Sequence, residues 1–372
     1  MKKSARHAPA TLHYGYKRVD SGGNILLTFY NEQHRAHAGR MEMYCGNFVP
    51  CFETPERVDF VLAELERRNL GRIVTPQSVP LMSLERIHHP RYVEFLRHAW
   101  QDWVALNPAN AEKDALPFVW PIRTLRSDIA PENFSAKLGL YSMDSCTPLT
   151  SGTWVAAKAG ADCAINAAHA LRSGERGTFA LTRPPGHHAG ADFFGGYCFL
   201  NNAALAAQHL LDDGAQRVAI LDIDYHHGNG TQSIFYERSD VLYLSIHGDP
   251  RTEFPYYLGY ADETGAGAGL GFNVNIPMPV GTAASTWFAA LETACLRITS
   301  SRVDALVISL GVDTFAADPI SGFCLQSADF LRIGERIGFL ELPTVFVFEG
   351  GYSVNEIGVN VVNVLEGFET SI

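Results

Sequence analysis

The sequence predicts an α/β fold, a single-domain open parallel sheet with helices on both faces. Three observations carry this prediction. The strand-like segments are continuous apolar runs rather than alternating ones, as in strands buried on both faces. They alternate with helical segments, which is the pattern of a covered parallel sheet. The residues capable of chemistry fall just after the strands, where open α/β sheets place their ligand sites.

The regular part begins near residue 150. "SGTWVAAKAGADCAINAAHALRSGERG" reads as an Ala-rich helix and "TFALTR" as a short strand. "NNAALAAQHLLDDG" is a helix closed by Gly214, followed by the strand "RVAILDID". Then come the strand and turn "DVLYLSIHGDP", the helix "STWFAALETACLRITS" and the strand "DALVISLGVD". The helix "ADFLRIGERIGFLELP" and the strand "TVFVFEGG" complete the series. Upstream, residues 1–23 read as a polar extension and 24–372 as the folded domain. "ILLTFY" is a first strand, and "TPERVDFVLAELERRNLG" is a helix with Thr54 as its cap and Gly71 as its end. Residues 107–141 hold several prolines and little periodicity, which predicts a long loop insertion. "GAGAGLG" lacks the Lys-Ser/Thr ending of a phosphate loop and reads as a turn.

With 29 basic and 40 acidic residues the net charge is 29 − 40 = −11. That disfavours nucleic acid and anionic membrane as partners and suits a cationic one. No apolar run is long enough to span a bilayer, and the N-terminus lacks a signal-peptide core. The seven cysteines (Cys45, Cys51, Cys146, Cys163, Cys198, Cys295 and Cys324) are odd in number and without Cys-x-x-Cys spacing. Reduced, mostly buried thiols in a cytoplasmic protein are expected.

Four strand ends carry unusual residues. In "RPPGHHAGADFFGGYCF", adjacent His187 and His188 can serve one site only from an irregular turn, because neighbouring side chains on a strand face opposite ways. In "LDIDYHHGNG", Asp222, Asp224 and His226 share a face if the strand continues, which points to a cation, and His227 faces away as a structural residue. Asp313 in "SLGVDTFAADP" alone fits a cap or turn as well as a ligand. With Asp224 and His226 it completes two carboxylates and an imidazole, a set suited to a catalytic zinc with a position left for water. The histidine pair suits proton transfer near neutral pH. Tyr352 in "FEGGY", after two glycines, is placed to donate to a developing oxyanion.

Together "RPPGHHAG", "GGYCFLNN", "DIDYHHGNGTQ", "LGVDTFAADP" and "EGGY" resemble the histone deacetylase superfamily of zinc amidohydrolases. "FFGGYCFLNNAA", "HGDPRTEFPYYLGYADETGAGAG" and "SLGVDTFAADPIS" are more similar to its bacterial acetylpolyamine amidohydrolases. The resemblance runs from about residue 24 to 370. It implies the arginase–deacetylase fold and zinc-dependent removal of acetyl groups from N-acetylated primary amines, acetylpolyamines and acetylated diamines first.

By resemblance, Asp224, His226 and Asp313 are the zinc ligands, one Zn²⁺ per chain. His188 is the general base and then acid, with Asn229 as its partner. His187 is the electrostatic member of the pair and Asp222 its acceptor, and Tyr352 polarises the carbonyl. Tyr197 and Phe254 wall a tunnel, with Gly196 and Ile320 as further substrate contacts and Asp144 at the rim. A structural K⁺ takes backbone oxygens of Asp222, Asp224, His226 and Ile246 and the side chains of Asp222 and Ser245. A second cation site lies near Phe235, Arg238 and Val241. In the polyamine branch the 107–141 loop packs across a homodimer. The chain departs from the family twice. Asn229 replaces an Asp common in histone deacetylases, and Cys146 stands where some polyamine enzymes carry a substrate-binding glutamate. A protein acetyl-lysine deacetylase is the rival within the chemistry. A catalytically inactive acyl-amine-binding protein is the rival outside it, and binuclear arginase-like chemistry lacks the extra carboxylates it would need.

Overall fold

The structure is a computed structural model that describes residues 26–122 and 124–371. The extension at residues 1–23 and the fold's expected start at 24 lie outside the described residues. Ten strands are present among those described: β1 (Leu27–Phe29), β2 (Met41–Tyr44), β3 (Asn47–Pro50), β4 (Arg72–Val74), β5 (Gly177–Ala180), β6 (Val218–Asp222), β7 (Val241–Gly248), β8 (Asn273–Met278), β9 (Ala305–Leu310) and β10 (Thr344–Phe348). Eight form one sheet in the order β4-β1-β5-β10-β9-β6-β7-β8, and every pair is parallel. Strands β2 and β3 form a separate antiparallel hairpin.

The apolar runs are continuous because successive side chains feed two cores. Val218 and Ile220 of β6, Val307 of β9, and Val345 and Val347 of β10 pack with the helices Thr153–Arg172 and Asn202–Asp212 on one face. Their neighbours Ala219, Leu221, Leu306, Ile308, Phe346 and Phe348 pack on the other, against Ala284–Ser301, Ser327–Gly338 and Val354–Thr370. Both faces are covered, as expected of a parallel sheet.

Several local expectations are corrected. The first long helix spans Glu56–Arg68 with Pro55, not Thr54, at its N-cap, and it ends at left-handed Asn69, two residues before Gly71. The expected 107–141 loop contains a 3-10 turn at Pro108–Glu112 and a helix at Phe134–Leu140, which Asn133 caps by accepting from the Ala136 N–H. A helix at Pro90–Leu106, the hairpin, and edge strands β4 and β8 were not anticipated. All seven cysteines are free, but only Cys163, Cys198 and Cys295 are buried, and Cys45 and Cys324 are exposed. Among the described residues no helix is long and apolar enough to cross a membrane.

Candidate active site

The chemistry-bearing loops follow β5, β10, β9 and β6, four consecutive strands at the centre of the sheet. Strand β6, however, stops at Asp222. The Asp222 carboxylate accepts the Asp224 N–H at 3.2 Å, and Asp224 accepts the His226 N–H at 2.9 Å. These i to i+2 side-chain bonds replace ladder bonds and bend the chain. Strand alternation therefore does not bring Asp224 and His226 together; two successive Asx turns do.

The bend carries them to Asp313. His226 Nδ1 lies 3.0 Å from Asp313 Oδ2 and 3.5 Å from Asp224 Oδ1. One ligand atom from each of the three falls within 4.8 Å of the others. The chain closes tightly around them: a Cβ on Gly350 would sit 2.5 Å from Asp224 Oδ2 and 2.8 Å from Asp313 Oδ2. Gly350 also donates its N–H to Asp224 Oδ2 at 2.8 Å. Burial opposes charge on His226, but its bonds to Asp224 and Asp313 outweigh that and push its pKa up to about 10. Burial, then repulsion from Asp224, pushes Asp313 up to about 7. Two buried carboxylates that hold a proton on the imidazole between them make a donor set that attracts a cation.

His187 and His188 do sit in an irregular turn. The Ala189 N–H donates to the Gly186 carbonyl at 2.9 Å, and Glu349 Oε2 accepts the N–H groups of Gly186 and His187 at 2.6 and 3.2 Å. The rings come within 4.0 Å of each other, centroid to centroid. Their environments differ. His187 Nδ1 faces Asp222 Oδ2 at 3.1 Å, and His188 Nδ1 faces Asn229 Oδ1 at 2.7 Å. For His187 burial is overcome by Asp224 and Asp222, which push its pKa up to about 10. For His188 burial and the neighbouring His187 and His226 act together and hold it well below the ordinary value. The two environments thus favour the imidazolium at His187 and the neutral ring at His188.

Tyr352 is buried, with its N–H on Asp318 Oδ2 at 2.7 Å and the Arg57 guanidinium 4.7 Å over its ring. Arg57 is fixed by donating from Nε to the Gly351 carbonyl at 2.7 Å. Burial holds the Tyr352 phenol well above its ordinary pKa, so it remains a donor.

A cavity of about 720 Å³ opens above these groups. His188, His226, Asn229 and Tyr352 line it together with Asp144, Gly196, Tyr197, Phe254 and Ile320, all anticipated as substrate contacts. Phe254 stands edge-on to His188 at 5.0 Å, and Tyr197 edge-on to Tyr352 at 5.7 Å. Gly196 has φ +52, and a Cβ there would lie 2.2 Å from the His188 ring. Asp144 is braced internally: Oδ2 accepts from the Gly196 N–H at 2.5 Å, and Oδ1 from the Cys146 N–H and the Thr147 hydroxyl. Cys146 also faces the cavity, as does Trp120 from the 107–141 segment.

The expected potassium residues lie behind the site. Asp222 and Ser245 are register partners on β6 and β7, next to Ile246. His227 is fully buried there, 3.4 Å from Ser245 Oγ. At the expected second cation site the Arg238 guanidinium covers the Phe235 ring at 5.0 Å and pairs with Asp240, and Val241 opens β7.

Four residues went unassigned from sequence: Glu42, Arg57, Asp318 and Glu349. Glu349 lies inside the "EGGY" motif, so its place at a strand end was a usable signal. Asp318 follows Asp313 in the same loop. Arg57 and Glu42 reach the site from distant segments with no local pattern to mark them.

Residues 51–368 match the histone deacetylase domain family. The chain is 54% identical over 344 residues to acetylpolyamine amidohydrolase 2 of Pseudomonas aeruginosa, covering 92% of this chain and 99% of that protein. It is 46% identical over 342 residues to the acetylpolyamine amidohydrolase of Mycoplana ramosa, with 92% and 99% covered. The crystal structure of an acetylpolyamine aminohydrolase from Burkholderia pseudomallei superimposes with a TM-score of 0.88 at 38% identity, over 93% of this chain and 99% of that one. The four strand-end loops, with their histidine pair, carboxylate–imidazole set and tyrosine, therefore belong to an amidohydrolase of the histone deacetylase family, in the branch that includes the acetylpolyamine amidohydrolases.

Proposed function

We propose that the protein hydrolyses the amide of small, cationic N-acetylated amines, acetylated diamines and polyamines first, to acetate and a primary amine. The observation that carries this is the cavity in which neutral His188, the donor Tyr352 and the His226 set share one floor between the walls Tyr197 and Phe254. The three relatives above, all named for acetylpolyamine hydrolysis, support the substrate class.

Asp224, His226 and Asp313 would hold one Zn²⁺. Bound there, the ion supplies Lewis-acid activation of the carbonyl and of water. The other steps fall to the chain. His188, neutral at physiological pH, accepts a proton from the attacking water. Tyr352 donates its hydroxyl proton in a hydrogen bond to the oxyanion that develops on the carbonyl. The His188 imidazolium then returns its proton to the departing amine as the C–N bond breaks. His187, with Nδ1 on the Asp222 carboxylate at 3.1 Å, stabilises negative charge beside it. A K⁺ beside Asp222 and Ser245 would brace the strand end that carries this set.

The methylene stem would lie between Tyr197 and Phe254, with the distal ammonium drawn toward the carboxylates of Asp144 and Glu253 on the cavity wall. The Asp144 oxygens are already bonded to Gly196, Cys146 and Thr147, and charge contacts at a solvent-open rim are worth about 1 kcal/mol or less. Exclusion of a peptide backbone by the wall that includes Trp120 would therefore discriminate more. Phe118, Ile122, Leu125 and Ile129 of the same segment are exposed and apolar, which supports a homodimer through it.

Metal-replete protein should release acetate and putrescine from acetylputrescine in equal amounts. Asp313→Ala should remain folded and lose both metal and turnover. Full zinc content in that variant, by elemental analysis, would refute the ligand set.

A further inference from the structure

Strand β2 of the hairpin carries a carboxylate in an unusual position. Met41 and Tyr44 on the same strand are exposed, at 40% and 38%, while Glu42 between them is fully buried. Burying a carboxylate is costly unless hydrogen bonds or a counter-charge repay it. The charged groups acting on Glu42, Asp144 and Glu53, are of its own sign. Its partners are neutral donors: the Tyr197 hydroxyl at 2.8 Å on Oε1 and the Phe52 N–H at 3.2 Å on Oε2.

Tyr197 is therefore held at two points. Its N–H donates to Thr147 Oγ1 at 2.9 Å, in a left-handed backbone conformation with φ +67. Its phenol is held by Glu42. The ring between these anchors forms a wall of the cavity and meets Tyr352 edge-on. Burial, with Asp144 and Glu53 nearby, pushes the Glu42 pKa up to about 7, so above that pH the phenol donates to a charged acceptor, among the stronger neutral-to-ion contacts, and the ring has few other polar means of keeping its orientation.

We infer that Glu42 is a positioning residue for substrate binding: its carboxylate fixes the phenol of Tyr197 and, through it, the ring that packs along the substrate's methylene stem. This rests on the tunnel reading above. A carboxylate that only anchored the hairpin would affect stability. One that aims the wall affects stem binding, and does so through Tyr197.

The test combines Glu42→Leu, Glu42→Gln and Tyr197→Phe with the corresponding double variants. Each is measured by KM and kcat on acetylputrescine and by calorimetric affinity for a linear alkyl hydroxamate. Measured above pH 7, where Glu42 is ionised, loss of one hydrogen bond to a charged group predicts that Glu42→Leu raises KM and the hydroxamate Kd about tenfold, with a smaller change in kcat. Glu42→Gln, whose single oxygen can still serve the phenol, should show a smaller rise. Neither Glu42 change should add to the effect of Tyr197→Phe. Glu42→Leu with unaltered KM and Kd, or effects that multiply in the double variants, would overturn the inference. Should Glu42→Leu fail to fold, Glu42→Gln with and without Tyr197→Phe decides the same question. If the wild type and variants bind the hydroxamate in the predicted order but the wild type hydrolyses no acetylated amine, the functional proposal falls and this one stands.

Discussion

His188 Nδ1 sits 2.7 Å from the amide oxygen of Asn229, while its neighbour His187 faces the carboxylate of Asp222 at 3.1 Å. The two imidazoles are adjacent in sequence and within 4.0 Å in space, yet one partner is neutral and the other charged. That difference adds to the larger effects of Asp224 beside His187 and of burial and the neighbouring His187 and His226 on His188, and together they separate the two protonation preferences. A carboxylate favours the imidazolium, whereas an amide only orients the ring. Asn229→Asp should therefore raise the pKa of His188. Since the base form is the deprotonated one, the acidic limb of the kcat/KM profile should move to higher pH. A profile unmoved by this substitution would mean that His188 does not set the limb.

Tyr352→Phe removes one oxyanion donor and leaves the ring beneath Arg57 in place. Loss of such a donor commonly costs about a hundred- to a thousandfold in turnover. Metal content should be unchanged. Near-full activity would reduce Tyr352 to a packing residue.

His188→Ala should lose more activity than His187→Ala, because only His188 is kept in the neutral form that can accept a proton. His187→Ala removes a fixed positive charge and the partner of Asp222. Single-turnover rates for the two variants would settle the order, and equal or reversed losses would exchange the roles.

The central sheet was legible because its strands are buried on both faces and so read as unbroken apolar runs. The unusual residues at the ends of β5, β6, β9 and β10 pointed to one edge, and the structure makes those strands neighbours. What failed was geometry just past a strand. Asp224 and His226 looked aligned by alternation, but the Asp222 and Asp224 side chains capture the next backbone N–H groups and turn the chain. Edge strands such as β4, with three residues, are too short to leave a pattern. Glu42 was invisible for another reason. Its partner Tyr197 is 155 positions later, and nothing local marks a buried carboxylate on a hairpin strand. Asp144 was legible as a residue facing the cavity, but not as one whose oxygens are already bonded to Gly196, Cys146 and Thr147.

The substrate is the point on which the account turns. Cys146 on the cavity wall offers no fixed negative charge: burial, with Asp144 and Glu42 nearby, holds its thiol far above the ordinary range. Selection for a small amine must then come mainly from shape. The most direct measurement is kcat/KM on metal-replete protein for acetylputrescine and acetylcadaverine against an acetyllysine peptide. The account predicts that both diamines exceed the peptide. A peptide turned over as well as or better than either diamine would contradict it.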